Sequence, residues 1–359
     1  MPTRTHSHGV HGSAGADITR SPPKPFPGSM RIAPAVNIVA LANFRPKYST
    51  ARVGVRLTYH LYGTAPLPVV IVQGGISATR HLVTSPCSDT PGWWDDIVGM
   101  HRAIDLNTYR VLSMDYLTDF QCRDEGYVAI STEDQADALT AVLDVVGIER
   151  VHAFVGASYG AMVGLAFAAL HPRRLTRLIA ISGADRPHPM ATAFRSIQRD
   201  IIRKGLDSDA PREHLALARA LGLVTYSSHQ DFEARFSESP RYLDGQWSFQ
   251  VAKYLRDKAR RFASRVTPQA YLRLSESLDL HQVDPARIRV PVTLVAVHPD
   301  QVVPMEQMRA LARMLGTYGR LIEFESCYGH DAFLKEPRRL SPLLCTALTD
   351  ENCKHEHIC

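Results

Sequence analysis

A serine lies in the segment Gly156-Ala157-Ser158-Tyr159-Gly160, between a valine-rich run and a strongly apolar stretch with helical spacing. The order strand, Gly-x-Ser-x-Gly, helix is typical of a nucleophile elbow, a tight turn that presents a serine oxygen at the edge of a sheet. Glycines are required two residues before and after the serine, because larger side chains there would collide with the adjoining strand and helix. The motif alone also fits a turn that only packs, but the flanking elements favour a catalytic Ser158.

A serine nucleophile needs a histidine base and a carboxylate that orients it, here expected in the order Asp or Glu, then His. Asp300 follows the predicted strand Val290–Val297, and His330 follows the predicted strand Arg320–Phe324. Since the carboxyl ends of parallel strands lie along one edge of a sheet, we predict that both side chains meet Ser158 there. Rivals of the same residue types are His298 for the base and Asp115 for the acid.

The oxyanion that develops during attack by a serine needs two N–H donors. We predict the backbone N–H of Tyr159 as the first donor, because this residue follows the nucleophile and begins the next helix. The second donor is expected from the loop after the predicted strand Val69–Gln73, where Gly75 and Ile76 are equal candidates. Adjacent glycines in this loop allow the backbone to approach the substrate closely.

These residues must be positioned by regular elements, and short Val- and Ile-rich runs alternate with helical patterns along most of the chain. This alternation predicts an α/β-hydrolase fold, a mostly parallel sheet with helices on both faces. Val53–Tyr62 alternates like a half-exposed strand, which indicates the sheet edge. Ser131 and Asp134 predict a capping box at the start of the helix Thr132–Val146. The other predicted elements of the core are Val69–Gln73, Arg110–Met114, Val151–Val155, Tyr159–Leu170, Leu178–Ser182, Val290–Val297 and Arg320–Phe324.

The alternation stops between residues 185 and 284, where four helical patterns follow one another without a strand signal. Helices inserted between two core strands predict a cap over the site, able to exclude water from it. The predicted catalytic core therefore comprises residues 48–184 and 285–350. Residues 1–47 begin His- and Gly-rich and continue Pro-rich, so we expect a flexible arm, and residues 351–359 are expected to form a tail. The four predicted cap helices are Ala191–Lys204, Arg212–Leu221, Ser248–Phe262 and Pro268–Leu278.

Composition narrows the class of protein. The chain has 359 residues, of which 45% are hydrophobic and 21% charged, which excludes collagen-like and largely disordered chains. We see no membrane-spanning run and no secretory signal, so we expect a cytoplasmic protein without membrane contact. The net charge of +5 is too small to predict nucleic-acid binding. Six scattered cysteines do not indicate a disulfide scaffold, and the tail Cys353–Cys359 matches no structural zinc spacing, so no metal site is predicted.

From about Val53 to Arg338 the chain resembles the homoserine O-acyltransferases of methionine biosynthesis, a family within the α/β-hydrolase superfamily. The resemblance rests on a Gly-Trp-Trp segment, a methionine shortly after the elbow, an arginine-bearing helix in the cap and a His-Asp ending. In order, these are Pro91–Trp94 with Ile97–Gly99 and Ala103–Asp105, then Met162, Phe194–Arg199 and Gly329–Leu334.

The resemblance implies a ping-pong acyltransferase that works through an acyl-Ser158 intermediate, with acyl-CoA as a co-substrate rather than a bound cofactor. It also implies that Arg199 holds the carboxylate of the acceptor L-homoserine and Asp331 its ammonium, pairings that suit these side chains. Without the resemblance, Arg199 would be read as a surface arginine and Asp331 as the N-cap of the last helix. The family further implies a homodimer.

Two departures from the family pattern bear on substrate choice. Tyr159 stands where relatives have methionine, and we expect the larger ring to reshape the acyl pocket. Val302, two residues after the triad aspartate, stands where succinyl-using relatives place an arginine, so acetyl-CoA is favoured over succinyl-CoA. Arg80 is another candidate cation for a succinyl group.

Alternative functions share the fold and the triad. Serine is an open acceptor, as in the serine O-acyltransferases of cysteine biosynthesis, because one methylene changes affinity by only about 1–3 kcal/mol. A carboxylic-ester hydrolase would use the same three residues and would be indifferent to homoserine. A non-catalytic binding protein is expected to have lost a triad residue, and all three are present.

Overall fold

The computed structural model describes residues 37–50, 52–85, 90–118, 120 and 127–349. The strands of this part are β1 (Asn37–Phe44), β2 (Val53–Tyr62), β3 (Val69–Gln73), β4 (Val98–Gly99), β5 (Ile104–Asp105), β6 (Arg110–Met114), β7 (Ala153–Ala157), β8 (Leu178–Ile181), β9 (Arg241–Leu243), β10 (Gln246–Ser248), β11 (Val292–His298) and β12 (Gly319–Glu325). Its helices are α1 (Thr132–Val145), α2 (Tyr159–Leu170), α3 (Pro189–Gly205), α4 (Pro211–Tyr226), α5 (His229–Arg235), α6 (Gln250–Ala263), α7 (Pro268–Asp279), α8 (Met305–Leu315), α9 (Ala332–Lys335) and α10 (Pro337–Thr349).

Eight of these strands form one sheet in the spatial order β1-β2-β6-β3-β7-β8-β11-β12. β2 pairs antiparallel with both β1 and β6, whereas the remaining neighbours in the sheet pair parallel. The short pairs β4–β5 and β9–β10 lie outside this sheet. The predicted fold class, a mostly parallel sheet flanked by helices, is confirmed.

Both faces of the sheet are buried, as β3 shows. Val69 and Ile71 pack into an apolar cluster with α1, α2 and α8, while Val70 and Val72 pack into a second cluster with α10. A strand covered on both faces needs apolar residues at consecutive positions rather than in alternation. This requirement explains the uninterrupted valine and isoleucine runs, and it gives the site a rigid support.

The amino-terminal edge of the sheet differs from the prediction. Asn37–Phe44 forms the edge strand β1, so Val53–Tyr62 is the second strand and not the edge. The expectation of a flexible arm over residues 1–47 is therefore wrong for residues 37–44, and residues 1–36 lie outside the described part. Because this strand lies at the edge of the sheet and buries only Val39 and Phe44, its apolar signal is weaker than that of the core strands.

Residues 189–279 contain the five helices α3 to α7, which follow β8 and precede β11. These helices have a small core of their own, which includes Leu215 and Tyr271. The expectation that no strand interrupts them is wrong at β9 and β10, which form a hairpin around Asp244 and Gly245. The two turn residues have φ of 49° and 83°, and Asp-Gly is a strong sequence signal for such a turn.

No helix in the described ranges is both long and apolar enough to cross a membrane. Nor do the described histidine, cysteine and carboxylate side chains form a group of three or more that suits a metal ion. The tail Cys353–Cys359 lies outside the described part of the chain.

Candidate active site

The predicted nucleophile lies at the junction of β7 and α2. Ser158 has φ 54° and ψ −117°, a backbone conformation that residues other than glycine rarely adopt and that is found at functional turns. A Cβ at Gly156 would lie 2.3 Å from Gly160 O, and a Cβ at Gly160 would lie 2.1 Å from Gln73 O. The strand, the helix and the neighbouring β3 are therefore packed so closely that both positions require glycine.

The three predicted triad side chains come together at the carboxyl edge of the sheet. His330 Nε2 lies 2.8 Å from Ser158 Oγ, and His330 Nδ1 lies 2.7 Å from Asp300 Oδ2. The other carboxylate oxygen of Asp300 accepts hydrogen bonds from the backbone N–H groups of Val302 at 2.8 Å and Val303 at 2.9 Å. The carboxylate is thus fixed from one side and orients the imidazole from the other, which is the geometry of a serine nucleophile with its base.

The environment of His330 suits a general base. Burial disfavours the imidazolium and lowers the pKa of His330, but the charge and hydrogen bond of Asp300, together with the charge of Asp331, raise the pKa by more. The resulting pKa lies above the ordinary value of 6.5. Asp300 therefore stabilises the imidazolium that forms when His330 takes a proton from Ser158.

The two rival residues lie elsewhere. Asp115 accepts the backbone N–H of Arg80 at 2.8 Å and forms an ion pair with its guanidinium. His298 is exposed and lines a surface cleft with Arg309 and Glu323. Arg80, the alternative cation for a succinyl group, is thus engaged by Asp115.

Both predicted sources of oxyanion donors lie at the nucleophile. Tyr159 is the first residue of α2, so its N–H has no acceptor within that helix. A Cβ at Gly75 would lie 3.9 Å from Ser158 Oγ, and Ile76 lines the same cavities as Ser158. Gly74 O, which accepts the Gly160 N–H at 2.9 Å, ties this loop to the elbow.

The side chain of Tyr159 does not shape the acyl pocket as expected. Its hydroxyl lies 2.6 Å from Ser277 Oγ, and its ring packs edge-on against Tyr116 at a centroid distance of 4.7 Å. The ring is fully buried, and burial raises the pKa of its hydroxyl. The correction follows from the elbow itself, because the backbone turn that projects Ser158 towards the edge directs the next side chain into the core.

Two cavities meet at the nucleophile, and Ser158, His330, Ile76 and Tyr226 line both of them. The smaller cavity has a volume of about 40 Å³ and lies between the sheet edge and the inserted helices. Its polar lining includes Arg195, Gln198 and Gln301, and Val302 is also part of it.

The larger cavity has a volume of about 360 Å³ and carries basic side chains. Arg219, Lys258 and Lys335 line it together with Asp331. Arg219 is 8% exposed, lies between the rings of Tyr226 and Phe262 and donates to Tyr226 Oη at 3.2 Å. This second cavity therefore combines access to the nucleophile with a positive lining.

Arg195 and Arg199 lie one turn apart on α3 and share Asp279. Arg195 Nε and Nη2 donate to Asp279 Oδ1 at 2.8 and 2.6 Å. Arg199 Nη1 donates to Asp279 Oδ2 at 2.5 Å and to the carbonyl and hydroxyl oxygens of Ser275, both at 3.1 Å. Arg195 lines the smaller cavity, whereas Arg199, the predicted holder of a carboxylate, is occupied by these bonds. Sequence reasoning missed Arg195, although the i, i+4 spacing puts both arginines on one helix face.

Asp331 lines the larger cavity, directly after the triad histidine. It is the N-cap of the four-residue α9, not of the last helix, and its side chain makes no capping hydrogen bond. Its carboxylate lies 3.9 Å from Lys335 Nζ. The neighbouring Phe333 accepts a hydrogen bond at its carbonyl from Trp94 Nε1 at 2.9 Å, so the Gly-Trp-Trp segment braces the loop that carries His330.

The chain matches both a family model and individual proteins of known name. A family model described as the α/β hydrolase fold matches residues 68–337. A homoserine O-succinyltransferase of Xanthomonas campestris pv. campestris is 42% identical over 315 residues, which cover 88% of this chain and 84% of the relative. An L-serine/homoserine O-acetyltransferase of Streptomyces lavendulae is 31% identical, and the match covers 87% of this chain and 96% of the relative.

Solved structures show the same fold. The crystal structure of homoserine O-acetyltransferase from Bacillus anthracis matches with a TM-score of 0.80 at 19% identity, covering 89% of this chain and 98% of that one. Esterase E22 matches with a TM-score of 0.77 at 18% identity, covering 87% of this chain and 99% of that one. Since a transferase and an esterase superpose almost equally well, fold alone does not separate the two activities.

The family match and the arrangement of the sheet define the class: the chain is a member of the α/β-hydrolase superfamily. The identity to transferases over most of both chains then decides the next level. The chain belongs to the homoserine O-acyltransferase family and is an acyltransferase, as the resemblance of its motifs implied.

Proposed function

We propose that this acyltransferase moves an acyl group from acyl-CoA to the hydroxyl of L-homoserine in methionine biosynthesis, through an acyl-Ser158 intermediate. The observation that carries the proposal is the hydrogen-bonded chain Ser158–His330–Asp300 at the junction of two cavities. The 42% identity to a homoserine O-succinyltransferase supports homoserine as the acceptor. The cytoplasmic location and the homodimer expected from the sequence stay predictions.

In the first half-reaction, His330 takes the proton of Ser158 as its oxygen attacks the thioester carbon. The C–S bond then breaks, the sulfur leaves as the thiol of CoA with the proton held by His330, and the acyl-serine ester remains. The N–H of Tyr159 and an N–H from Gly75 or Ile76 stabilise the oxyanion between these two steps.

In the second half-reaction, His330 takes the hydroxyl proton of homoserine, and the hydroxyl oxygen attacks the acyl-serine ester. The ester product forms as the bond to Ser158 Oγ breaks and that oxygen regains a proton. Arg199 holds the substrate carboxylate and Asp331 its ammonium, so that the hydroxyl reaches the ester. Asp279 can remain bound to Arg195 while Arg199 turns to the substrate.

The size and the charge of the two cavities indicate which of them admits CoA. The cavity of about 40 Å³ is too small for CoA, whereas the cavity of about 360 Å³ is lined by Arg219, Lys258 and Lys335. Basic side chains attract the phosphates of CoA. The larger cavity is therefore our candidate entrance for the donor.

Two observations on the acyl group point in opposite directions. Val302 lines the smaller cavity and supplies no cation, which favours acetyl-CoA, as expected from the sequence. The relative that is 42% identical is a succinyltransferase, whereas the acetyltransferases from Streptomyces lavendulae and Moorella thermoacetica are 31% and 30% identical. Because a cation elsewhere in the cavity can replace one at position 302, we give the overall identity more weight and propose succinyl-CoA as the donor.

The proposal is tested by a two-by-two assay that measures CoA release and ester product with acetyl- or succinyl-CoA and with homoserine or serine. We expect rapid CoA release only when homoserine is present, because the inserted helices keep water from the acyl-serine. Release of CoA that is equally fast without either amino acid would identify a hydrolase. A faster reaction with serine than with homoserine would assign the chain to serine O-acylation instead.

The nucleophile is tested separately. In Ser158→Ala we expect kcat to fall by about 10⁴-fold or more, since residues of a triad act as one unit. The melting temperature should be retained, because alanine removes only the hydroxyl. Ser264→Ala, at the exposed end of α6, is the control and should keep full activity. Turnover that survives Ser158→Ala rules out the elbow as the nucleophile.

A further inference from the structure

The smaller cavity contains a cation that the proposed reaction has not used. Arg195 is 9% exposed and lines this cavity together with Ser158 and His330. Its charge is close enough to His330 to lower the pKa of that imidazole, against the larger effect of Asp300. Arg195 therefore lines the space into which an acyl group attached to Ser158 would extend.

One N–H donor group of the Arg195 guanidinium has no hydrogen-bond acceptor among the described residues. Its Nε and Nη2 bind Asp279, and Nη2 also lies 3.4 Å from Thr192 Oγ1, while its Nη1 has no acceptor within the described ranges. Arg199 binds Asp279 and Ser275 through Nη1, and its Nη2 lies 3.3 Å from Ser196 Oγ. Of the two arginines, only Arg195 is among the residues that line the cavity with Ser158, so it is the one placed to bind a ligand there.

The charges of this cluster do not cancel. Arg195 and Arg199 share the one carboxylate of Asp279, which leaves the three side chains with one positive charge in excess. Each of these ion-paired side chains is only 11% exposed. A buried cation is unfavourable unless an anion accompanies it, so the cavity is suited to receive a carboxylate.

We propose that Arg195 binds the terminal carboxylate of a dicarboxylic acyl group, so that a succinyl chain on Ser158 extends into the smaller cavity. This inference rests on the proposed function. The guanidinium of Arg195 then forms the charge-assisted hydrogen bond that an arginine at position 302 would otherwise supply. In a ping-pong order the donor binds before homoserine, at the stage when Arg195 has a free N–H and Arg199 is still bound to Asp279 and Ser275.

The test compares Arg195→Gln and Arg195→Lys with the wild-type protein. Glutamine keeps a polar side chain beside Asp279 but removes the charge, and lysine restores the charge without the planar fork. Arg203→Gln is the matched control, because Arg203 lies on the same helix, is exposed and, among the described residues, forms its ion pair with Asp200. Melting temperatures of all three variants show whether the helix packing is retained.

The readout is kcat/KM for succinyl-CoA and for acetyl-CoA, which in a ping-pong reaction reports the acylation of Ser158 alone. We expect Arg195→Gln to lower the value for succinyl-CoA by about 10- to 100-fold, since hydrogen bonds to charged groups contribute about 1.5–3 kcal/mol. The value for acetyl-CoA should change less than about threefold, and Arg195→Lys should recover part of the loss. Should Arg195→Gln fail to fold, the lysine variant still has to lose activity selectively with succinyl-CoA.

Three outcomes overturn the inference. An equal loss with both donors means that Arg195 acts only by holding Asp279. A loss confined to kcat/KM for homoserine, with either donor, assigns Arg195 to the acceptor carboxylate. A wild-type protein that uses acetyl-CoA but not succinyl-CoA removes the succinyl group altogether while the proposed transfer to homoserine stands. Absence of transfer with both donors in the wild-type protein is a failure of the proposed function itself.

Discussion

The pKa of His330 reflects opposing effects on one imidazole. Burial and the charge of Arg195 lower this pKa, while Asp300 at 2.7 Å and the charge of Asp331 together raise it by more. The Asp300 carboxylate accepts two backbone N–H groups from the loop after β11, so it cannot turn away from the histidine. Among the neighbouring charges, Asp300 has the largest effect on the strength of the base.

We predict that Asp300→Asn shifts the acid limb of the pH profile. The wild-type enzyme needs neutral His330, so kcat/KM should rise with pH through a midpoint above 6.5. With asparagine the negative charge is gone while burial remains, so the midpoint should move to lower pH. The plateau should also fall by about 10⁴-fold, because asparagine no longer holds the reactive tautomer. The measurement is kcat/KM for acyl-CoA between about pH 5 and 9.

The control for this variant is Asp137→Asn. Asp137 forms a second histidine–aspartate pair with His171 at 2.8 Å, on the surface of α1 and α2. Its loss should leave the profile unchanged. An acid limb that stays in place in Asp300→Asn would mean that another group governs the protonation of the site.

At the scale of single residues, the order of the triad could be predicted and the lining of the cavities could not. Ser158, Asp300 and His330 follow strand ends, and strand ends are visible as apolar runs that stop at polar loops. The direction of the Tyr159 ring and the exposure of Arg195 to the cavity depend on side chains from distant elements. Asp279, which holds Arg195, is 84 residues away in the sequence.

At the scale of elements, the elbow depends on the close approach of α2 to β3. We predict that Gly160→Ala lowers the free energy of unfolding by about 3 kcal/mol and abolishes turnover, because its Cβ would lie 2.1 Å from the backbone oxygen of Gln73. Backbone cannot move aside as a side chain can. Urea unfolding and the CoA-release assay measure the two effects.

Gly147→Ala is the matched control for the elbow variant. Gly147 follows α1 with φ +69° and has no atom within 4 Å of a built Cβ, so only the left-handed backbone is strained. The expected loss of stability is about 1 kcal/mol, with full activity. Equal destabilisation by the two substitutions would show that collision with β3 is not what requires glycine at the elbow.

The start of α1 supports a second prediction at this scale. Ser131 Oγ accepts the Asp134 N–H at 3.0 Å, and Asp134 in turn accepts the N–H groups of Ser131 at 2.7 Å and Lys47 at 2.8 Å. We expect Ser131→Ala to lower the free energy of unfolding by about 1–2 kcal/mol without changing kcat. Ser131→Thr keeps the cap and should stay near the wild-type value in urea unfolding. A neutral Ser131→Ala would mean that Asp134 alone satisfies this end of the helix.

Most elements with a strong local signal were predicted, whereas the edge strand β1 and the β9–β10 hairpin were not. The capping box at Ser131 and the strand Val69–Gln73 are confirmed. Both were predictable because a capping box and a strand buried on both faces each require particular residue types in the local sequence. The edge strand β1 buries only two of its eight residues and follows a Pro-rich stretch, so the local sequence did not indicate a strand. The β9–β10 hairpin contains the Asp-Gly turn motif, but this motif lies between helical patterns and was not interpreted as a hairpin.

At the scale of the whole molecule, charge is distributed to suit the proposed donor. The chain has a net charge of +5, and three basic side chains line the larger of the two cavities that lead to Ser158. A positive cleft raises the local concentration of an anionic substrate and speeds its association, an effect that salt screens. The smaller cavity, enclosed by the inserted helices, is shielded from that screening.

We therefore predict that salt weakens the interaction of the enzyme with the CoA phosphates of the donor but not with its succinyl carboxylate. Between about 20 and 200 mM NaCl, kcat/KM for succinyl-CoA should fall by about threefold or more, because the phosphates of CoA interact with exposed cations. For the succinyl thioester of N-acetylcysteamine, which has no phosphate, it should change little, because its carboxylate binds in the buried cavity. Lys258→Gln should weaken the salt dependence with succinyl-CoA, whereas Lys253→Gln, which removes a charge paired with Asp257 on the same helix, should not. The same salt dependence with both thioesters would place the electrostatic attraction at the acyl group and not at the larger cavity.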